Sequence, residues 1–272
     1  MSVTTDRSQS SSRTQVTETS VDASTHRRLR NANLVVGLVL VAQAVLIVAL
    51  SNDFAIPVTA TYLEGPPGSA LPGPTTLFDV RFGWAVAAFL GLAALDHLLM
   101  AAPRVSGWYR HKLELGRNPA RWAEYSISAS LMVVLISMLF GISDAYALIG
   151  IIGANASMIL FGHLMERANP DRDHVDWMPF LFGCFAGIVP WLAIALAFGG
   201  ALTGNGDVPT FVIAIFVSLF VLFNTFAINQ FLQYRKIGRW RSYVWGEGGY
   251  IVLSLVAKTA LAWQVFSGTL AA

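Results

Sequence analysis

Seven stretches of mostly apolar residues divide this chain, at about 32–51, 80–102, 121–142, 145–165, 178–199, 209–233 and 244–270. Each is near the roughly 20 residues that an α-helix needs to cross a bilayer. Composition points the same way. The 272 residues are 55% hydrophobic and 12% charged, about half of the roughly 25% charged share of a soluble domain. The fold class expected is an all-α membrane protein, a seven-transmembrane-helix bundle.

Its direction follows from Lys and Arg in the short loops. Arg27, Arg28 and Arg30 precede the first span; Arg104, Arg110, Lys112, Arg117 and Arg121 lie between the second and third. Arg167 and Arg172 follow the fourth, and Arg235, Lys236, Arg239 and Arg241 follow the sixth. The opposite loops, near Asp53, Glu64, Asp144 and Asp207, carry no basic residue except Arg81 at the start of the second span. The N-terminus is therefore expected in the cytoplasm and the C-terminus outside. The loop 52–78 contains "VTATYLEGPPGSALPGPTTL", where alternating apolar residues around a Gly-Pro turn predict a short β-hairpin. Residues 1–26, rich in Ser and Thr, lack the apolar residues to fold and read as a disordered cytoplasmic tail; the apolar run behind them is too long for the core of a cleaved leader. No internal repeat is visible, which disfavours an inverted-repeat transporter. A net charge of +2 gives no reason to expect nucleic acid, and Cys184, the sole cysteine, has no internal partner.

Ionisable residues inside spans are uncommon and face the bundle interior, so each is a candidate site. Asp79, Arg81, Asp144, Glu166 and Glu247 lie near segment ends and read as interface residues. Lys258, in "SLVAKTALAWQVF", sits too deep in the last span to snorkel. It reads either as a lysine ion-paired to hold helices together or as a desolvated amine suited to a Schiff base with an aldehyde. Ser254, one turn back, is placed to hydrogen-bond its nitrogen. Glu124, in "RWAEYSISASLM", is the acid of the third span and the obvious counter-charge, with Ser128 on its face. Its alternative partner is Arg121, and an axial offset from Lys258 approaching 10 Å stands against the pairing. His97, in "LDHLLMAAPR", either joins a buried proton-accepting cluster or bonds a neighbouring carbonyl. His163 reads as an ordinary histidine near a helix end. No two histidines share the spacing of a metal site. Phe211, Phe216, Phe220, Phe223 and Phe226 form a stripe that suits helix packing or a flat polyene, and Gly150, Gly153, Ala154, Ala156 and Ser157 form a small-residue face for close packing, within the chain or with a second copy.

"RWAEYSISAS", "SLVAKTALAWQVF" and the N-inside direction together resemble the heliorhodopsins, from about Arg28 to the C-terminus. The resemblance implies a retinal-binding domain over 27–272, with all-trans retinal as a protonated Schiff base on Lys258 and Glu124 as counterion. It places Ser128 and Ser254 beside the Schiff base, Tyr125 along the polyene, His97 in a polar cluster on the cytoplasmic side, and Phe223 and Gln230 in the pocket. It also implies a homodimer, a slow photocycle and no ion transport. One departure stands out: where the family often carries a histidine in the first span, this chain has Leu40, which depletes the proton-accepting cluster.

The function expected is a light-sensing photoreceptor in the plasma membrane, embedded in lipid and passing a structural change to a cytoplasmic signalling partner. A light-driven pump or light-gated channel is the alternative. Pumping is disfavoured because Leu135, flanked by Val134 and Ile136, occupies the level where a pump carries a second polar group. A seven-helix membrane hydrolase is more remote, since His97 and Asp96 alone do not make a zinc site.

Overall fold

The computed structural model describes residues 21–204 and 210–270, and its order along the chain is α1 (Ala23–Leu50), β1 (Ala55–Ala60), β2 (Thr75–Arg81), α2 (Phe82–Ala101), α3 (Pro103–Glu114), α4 (Pro119–Leu139), α5 (Ala145–Ala168), α6 (Met178–Thr203), α7 (Thr210–Tyr234), a 3-10 turn (Gly238–Arg241) and α8 (Tyr243–Leu270). All but α3 are long and apolar enough to span, which makes seven candidate spans among the described residues and a multi-pass membrane protein. The last helix, α8, closes the bundle by packing on α1, α2 and α7. A backbone in lipid has no water to bond, so helices are the form these runs must take.

Two boundaries differ from expectation. The first helix starts at Ala23, so residues 23–26, read from composition as tail, are helical; the expected tail 1–20 lies outside the described residues. The reason is a cap: the Asp22 carboxylate accepts from Thr25 N at 2.6 Å, which satisfies an otherwise orphan donor. At 1.5 Å per residue α1 is roughly 42 Å long against a hydrocarbon core of about 30 Å, so its arginine-bearing turns overhang the membrane. The other difference is α3, a helix in the stretch between the second and third spans where none is expected. It is a short amphipathic helix that buries Ser106, Tyr109 and Leu113 and leaves Arg104, Gly107 and Trp108 exposed. Pro103 at its first turn starts it without losing a bond, because that N–H would be unpaired anyway.

The expected hairpin is present. β1 and β2 pair antiparallel from Ala55–Arg81 to Ala60–Thr75, with a register shift between Val58 and Thr59. Thr59 N also donates to Ser143 O at 2.9 Å, which ties the hairpin to the turn before α5. Asp144 caps α5 through Ala147 N. At this end Asn52 Nδ2 bonds Thr269 O, and deeper in the bundle Gln43 bridges Thr259 and Trp263, so α1 is fastened to α8 at two levels.

Close packing of α1 on α2 depends on Gly37. A Cβ there would lie 2.8 Å from the Leu98 side chain and 3.3 Å from the Ala94 carbonyl. Gly37→Val is expected to cost about 1–3 kcal/mol by overpacking, read as a lower thermal unfolding midpoint in detergent; an unchanged midpoint would show that α1 and α2 slide apart at no cost.

Candidate functional site

The central pair comes from α4 and α8. Lys258 Nζ donates to Glu124 Oε1 at 2.6 Å and to Ser128 Oγ at 3.1 Å, with both charged side chains buried. It also lies 4.6 Å from the ring centroid of Tyr125 and 5.6 Å from that of Phe89, faces that attract a cation. The offset anticipated between the two residues is absent. The first turn of α4 is roofed by α3, α5 and α8, and Asn118 and Arg121 are almost wholly buried, so Glu124 is deeper than its place near the start of a span suggests.

Ser254 does not meet Lys258, which corrects the sequence reading. Its hydroxyl bonds His97 Nε2 at 2.8 Å, and His97 Nδ1 bonds Asn33 Oδ1 at 2.6 Å. Asn33 Nδ2 is already committed to Leu29 O, which fixes Oδ1 as an acceptor and Nδ1–H of the imidazole as the donor; Nε2 then accepts from Ser254. His97 thus bonds side chains of α1 and α8 rather than a carbonyl. Leu40 is fully buried in the apolar core, and Asn33, nearly two turns earlier on α1, is the group that reaches the imidazole. His163 lies apart from this cluster, half-buried.

The segment-end reading of Glu166 and Glu247 is overturned, as is the pairing of Glu124 with Arg121. The Arg121 guanidinium, 2% exposed, bonds Glu166 Oε1 at 2.5 Å and also Glu247 Oε2, and stacks 3.9 Å from the Tyr250 ring centroid. Each carboxylate gains neutral donors: Tyr243 Oη at 2.9 Å and Asn118 N at 2.8 Å for Glu166, Tyr109 Oη and Asn118 Nδ2, both at 2.8 Å, for Glu247. Burial, with the Glu247 charge beside it, holds the Tyr109 phenol well above its ordinary pKa, so it remains a donor. The result is one cation and two anions joining α3, α4, α5 and α8 at the arginine-rich end. Asp96, with Asn33, His97, Arg121 and Glu247, lines a small polar cavity between this network and the Lys258 pair.

Beside Lys258 lies an apolar slot. Its walls are Phe89 of α2, Trp122, Tyr125 and Ala129 of α4, Met158, Ile159 and Gly162 of α5, and Phe223, Phe226, Ala227 and Gln230 of α7, with Lys258 and Leu261 of α8. Phe226 packs edge-on to Tyr125 and stacks on Tyr250. Gln230 Nε2 bonds Gly162 O at 2.9 Å, which secures α7 to α5. Gly162 keeps the slot narrow and clear, since a Cβ there would sit 2.5 Å from the Trp122 ring. All eight candidate residues therefore gather in two adjoining places: Lys258, Glu124, Ser128, Tyr125, Phe223 and Gln230 around the slot, His97 and Ser254 behind it.

Sequence reasoning missed Trp122, Gly162 and Tyr250 on one side and Tyr109 on the other; it named Phe226 in the phenylalanine stripe, and named Arg121, Glu166 and Glu247 in other roles. A signal for some of them was there. Glu247, Ser254 and Lys258 fall on one face of α8, and Arg121, Tyr125 and Ser128 on one face of α4, so two polar stripes run inward from the arginine-rich end.

The family model described as Heliorhodopsin matches residues 29–270. A comparison with curated protein sequences returns no match. Among solved structures the chain resembles a light-driven proton pump from Leptosphaeria maculans, at 17% identity over 91% of this chain and 95% of that one, with a TM-score of 0.60. It also resembles Exiguobacterium sibiricum rhodopsin (14% identity, 89% and 96% covered, TM-score 0.62) and a cyanorhodopsin from the cyanobacterium Tolypothrix sp. NIES-4075 (14%, 91% and 95%, 0.62). At such identities these likenesses carry the fold, that of microbial rhodopsins.

Removing the shared cation of the network would leave two buried carboxylates facing each other. Arg121→Leu is expected to lose about 3–5 kcal/mol of stability, measured as unfolding in detergent; a loss no larger than that of a surface Arg would show that the carboxylates do not need it.

Proposed function

This chain belongs to the heliorhodopsin family, a family of retinal-binding rhodopsins, and from that premise we propose that it is a light-sensing photoreceptor, with all-trans retinal held as a protonated Schiff base on Lys258 and Glu124 as counterion. The observation that carries this reading is the buried Lys258–Glu124 pair, 2.6 Å apart, at the end of an aromatic slot. The residues fit the group: a flat apolar polyene needs a narrow aromatic slot ending at an amine, and the bare Gly162 leaves the slot open where any side chain would meet Trp122. Retinal, when bound, supplies absorption of visible light and a change of shape.

The chain's own residues do the rest. Glu124 balances the positive charge at the Lys258 nitrogen, which in low dielectric would otherwise be lost with its proton. Ser128 fixes the nitrogen's direction through its hydroxyl. Tyr125 and Phe226 hold the polyene's flanks, and Phe223 and Gln230 bound it on α7. Asn33, His97 and Ser254 form the polar cluster behind the pair, where Asn33 stands in for the histidine that Leu40 replaces. The Arg121 network then couples α4 and α8, which bear the pair, to α3 and α5, so a shift at Lys258 reaches the arginine-rich end. With the N-terminus cytoplasmic, that end faces the cell interior and a signalling partner there, in the plasma membrane. A homodimer would use the exposed small residues Gly150, Gly153 and Ser157 of α5, where added Cβ atoms at the two glycines meet nothing.

Slow sensing is favoured over pumping by the wall beyond the pair. Met132, Val133, Leu135 and Ile136 are fully buried and apolar toward the hairpin end, and among the described residues no buried carboxylate or histidine stands on that side to take a proton.

Protein expressed with all-trans retinal is expected to show a visible band that hydroxylamine bleaches and that Lys258→Ala lacks; a band surviving in the variant would end the assignment. Glu124→Gln is expected to move the band to longer wavelength, and an unmoved band would remove Glu124 as counterion. In illuminated cells a sustained photocurrent, or a pH change abolished by a protonophore, would replace sensing with transport; neither is expected.

A further inference from the structure

A second cavity, of about 1080 Å³, opens at the arginine-rich end, away from the Lys258 slot. Both α1 and α7 pack on α8, and the groove lies between them with the first turns of α8 as its floor. Its mouth carries Arg28 and Arg239, both exposed and neither in an ion pair among the described residues. The Arg239 guanidinium stands 4.9 Å from the Trp245 ring centroid, which holds it in place before any ligand arrives. The acidic residue of the lining, Asp22, is committed to the cap of α1 through Thr25 N and Ser24 Oγ. Deeper in, the walls turn apolar with Ile228, Leu232 and Val252, and Gly248 leaves the floor bare, since a Cβ there would meet nothing within 4 Å.

We propose that this groove is a specific site for one anionic phospholipid, its phosphate between Arg28 and Arg239 and an acyl chain along Ile228, Leu232 and Val252. A basic mouth above an apolar slot, between helices at headgroup level, matches both halves of such a molecule. A zwitterionic lipid would bring a quaternary ammonium to two arginines, and a free phosphate would leave the apolar walls unused. The bound lipid rests on α8, the helix that carries Lys258, so the charge of the surrounding leaflet acts directly on that helix.

The test uses the full chain with retinal in nanodiscs of phosphatidylcholine containing a minor share of brominated phosphatidylglycerol or, in parallel, brominated phosphatidylcholine. Quenching of Trp245 is isolated by difference against Trp245→Phe. Stronger quenching by the phosphatidylglycerol probe is expected, with the preference falling about fivefold in Arg28→Gln and again in Arg239→Gln, while the visible band of each variant reports an intact fold. Should one variant fail to fold, the other decides. Equal quenching by the two probes would make the groove ordinary lipid contact and overturn the proposal. So would loss of the preference in excess inorganic phosphate, which would mark a free-anion site, or its appearance only after residues 1–20 are removed, which would assign the groove to the chain's own N-terminal segment.

Discussion

An arginine buried in a membrane protein must find its anions on neighbouring helices, and Arg121 finds two. Its guanidinium is shared by Glu166 of α5 and Glu247 of α8, and further donors from Tyr109, Asn118 and Tyr243 are turned on the same two carboxylates. Such a network contributes less through net attraction than through the cost of breaking it, because any missing member leaves a charge stranded in low dielectric. It therefore sets the rotation and depth of α4 and α8 together. Once these are set, Glu124 and Lys258, one turn from Arg121 and three turns from Glu247, meet at hydrogen-bonding distance.

The same constraint explains the division of the interior. Toward the arginine-rich end, polar residues stand in layers: the Arg121 network, the small cavity with Asp96, and the Asn33–His97–Ser254 chain. Toward the hairpin end the core is Met132, Val133, Leu135, Ile136 and the aromatic group of Phe140, Phe198 and Phe216. Among the buried described residues, the carboxylates and the histidine lie on one side of Lys258, and the other side offers only neutral groups such as Ser130 with Asn155, besides the half-buried Gln43 with Thr259.

α7 and α8 divide the remaining work. The phenylalanines of α7 are in part packing and in part slot: Phe216 and Phe220 pack on Trp191 of α6, whereas Phe223 both packs on Trp191 and lines the slot, and Phe226 meets Tyr125 and Tyr250. One stripe of identical residues thus serves two environments, and only the neighbouring helix distinguishes them. Glycines act in the same positional way. Gly162 keeps space at the slot beside Trp122, and Gly37 allows α1 to lie against α2.

What the sequence determined by itself is whatever depends on one segment at a time. Seven apolar runs, the alternating strands around Gly-Pro and the isolated Lys258 are local patterns, and a bilayer leaves apolar runs of that length little choice but helix. What only the tertiary structure decided is who meets whom. The partner of Ser254 is His97 rather than Lys258, Arg121 serves Glu166 and Glu247 rather than Glu124, and Asn33 rather than a residue at position 40 completes the histidine's bonds. Depth along a helix and rotation about its axis are not written in that helix's own sequence. They follow from pairing the buried charges Arg121, Glu166, Glu247, Lys258 and Glu124 across α4, α5 and α8 at once, which happens only when those helices are in place.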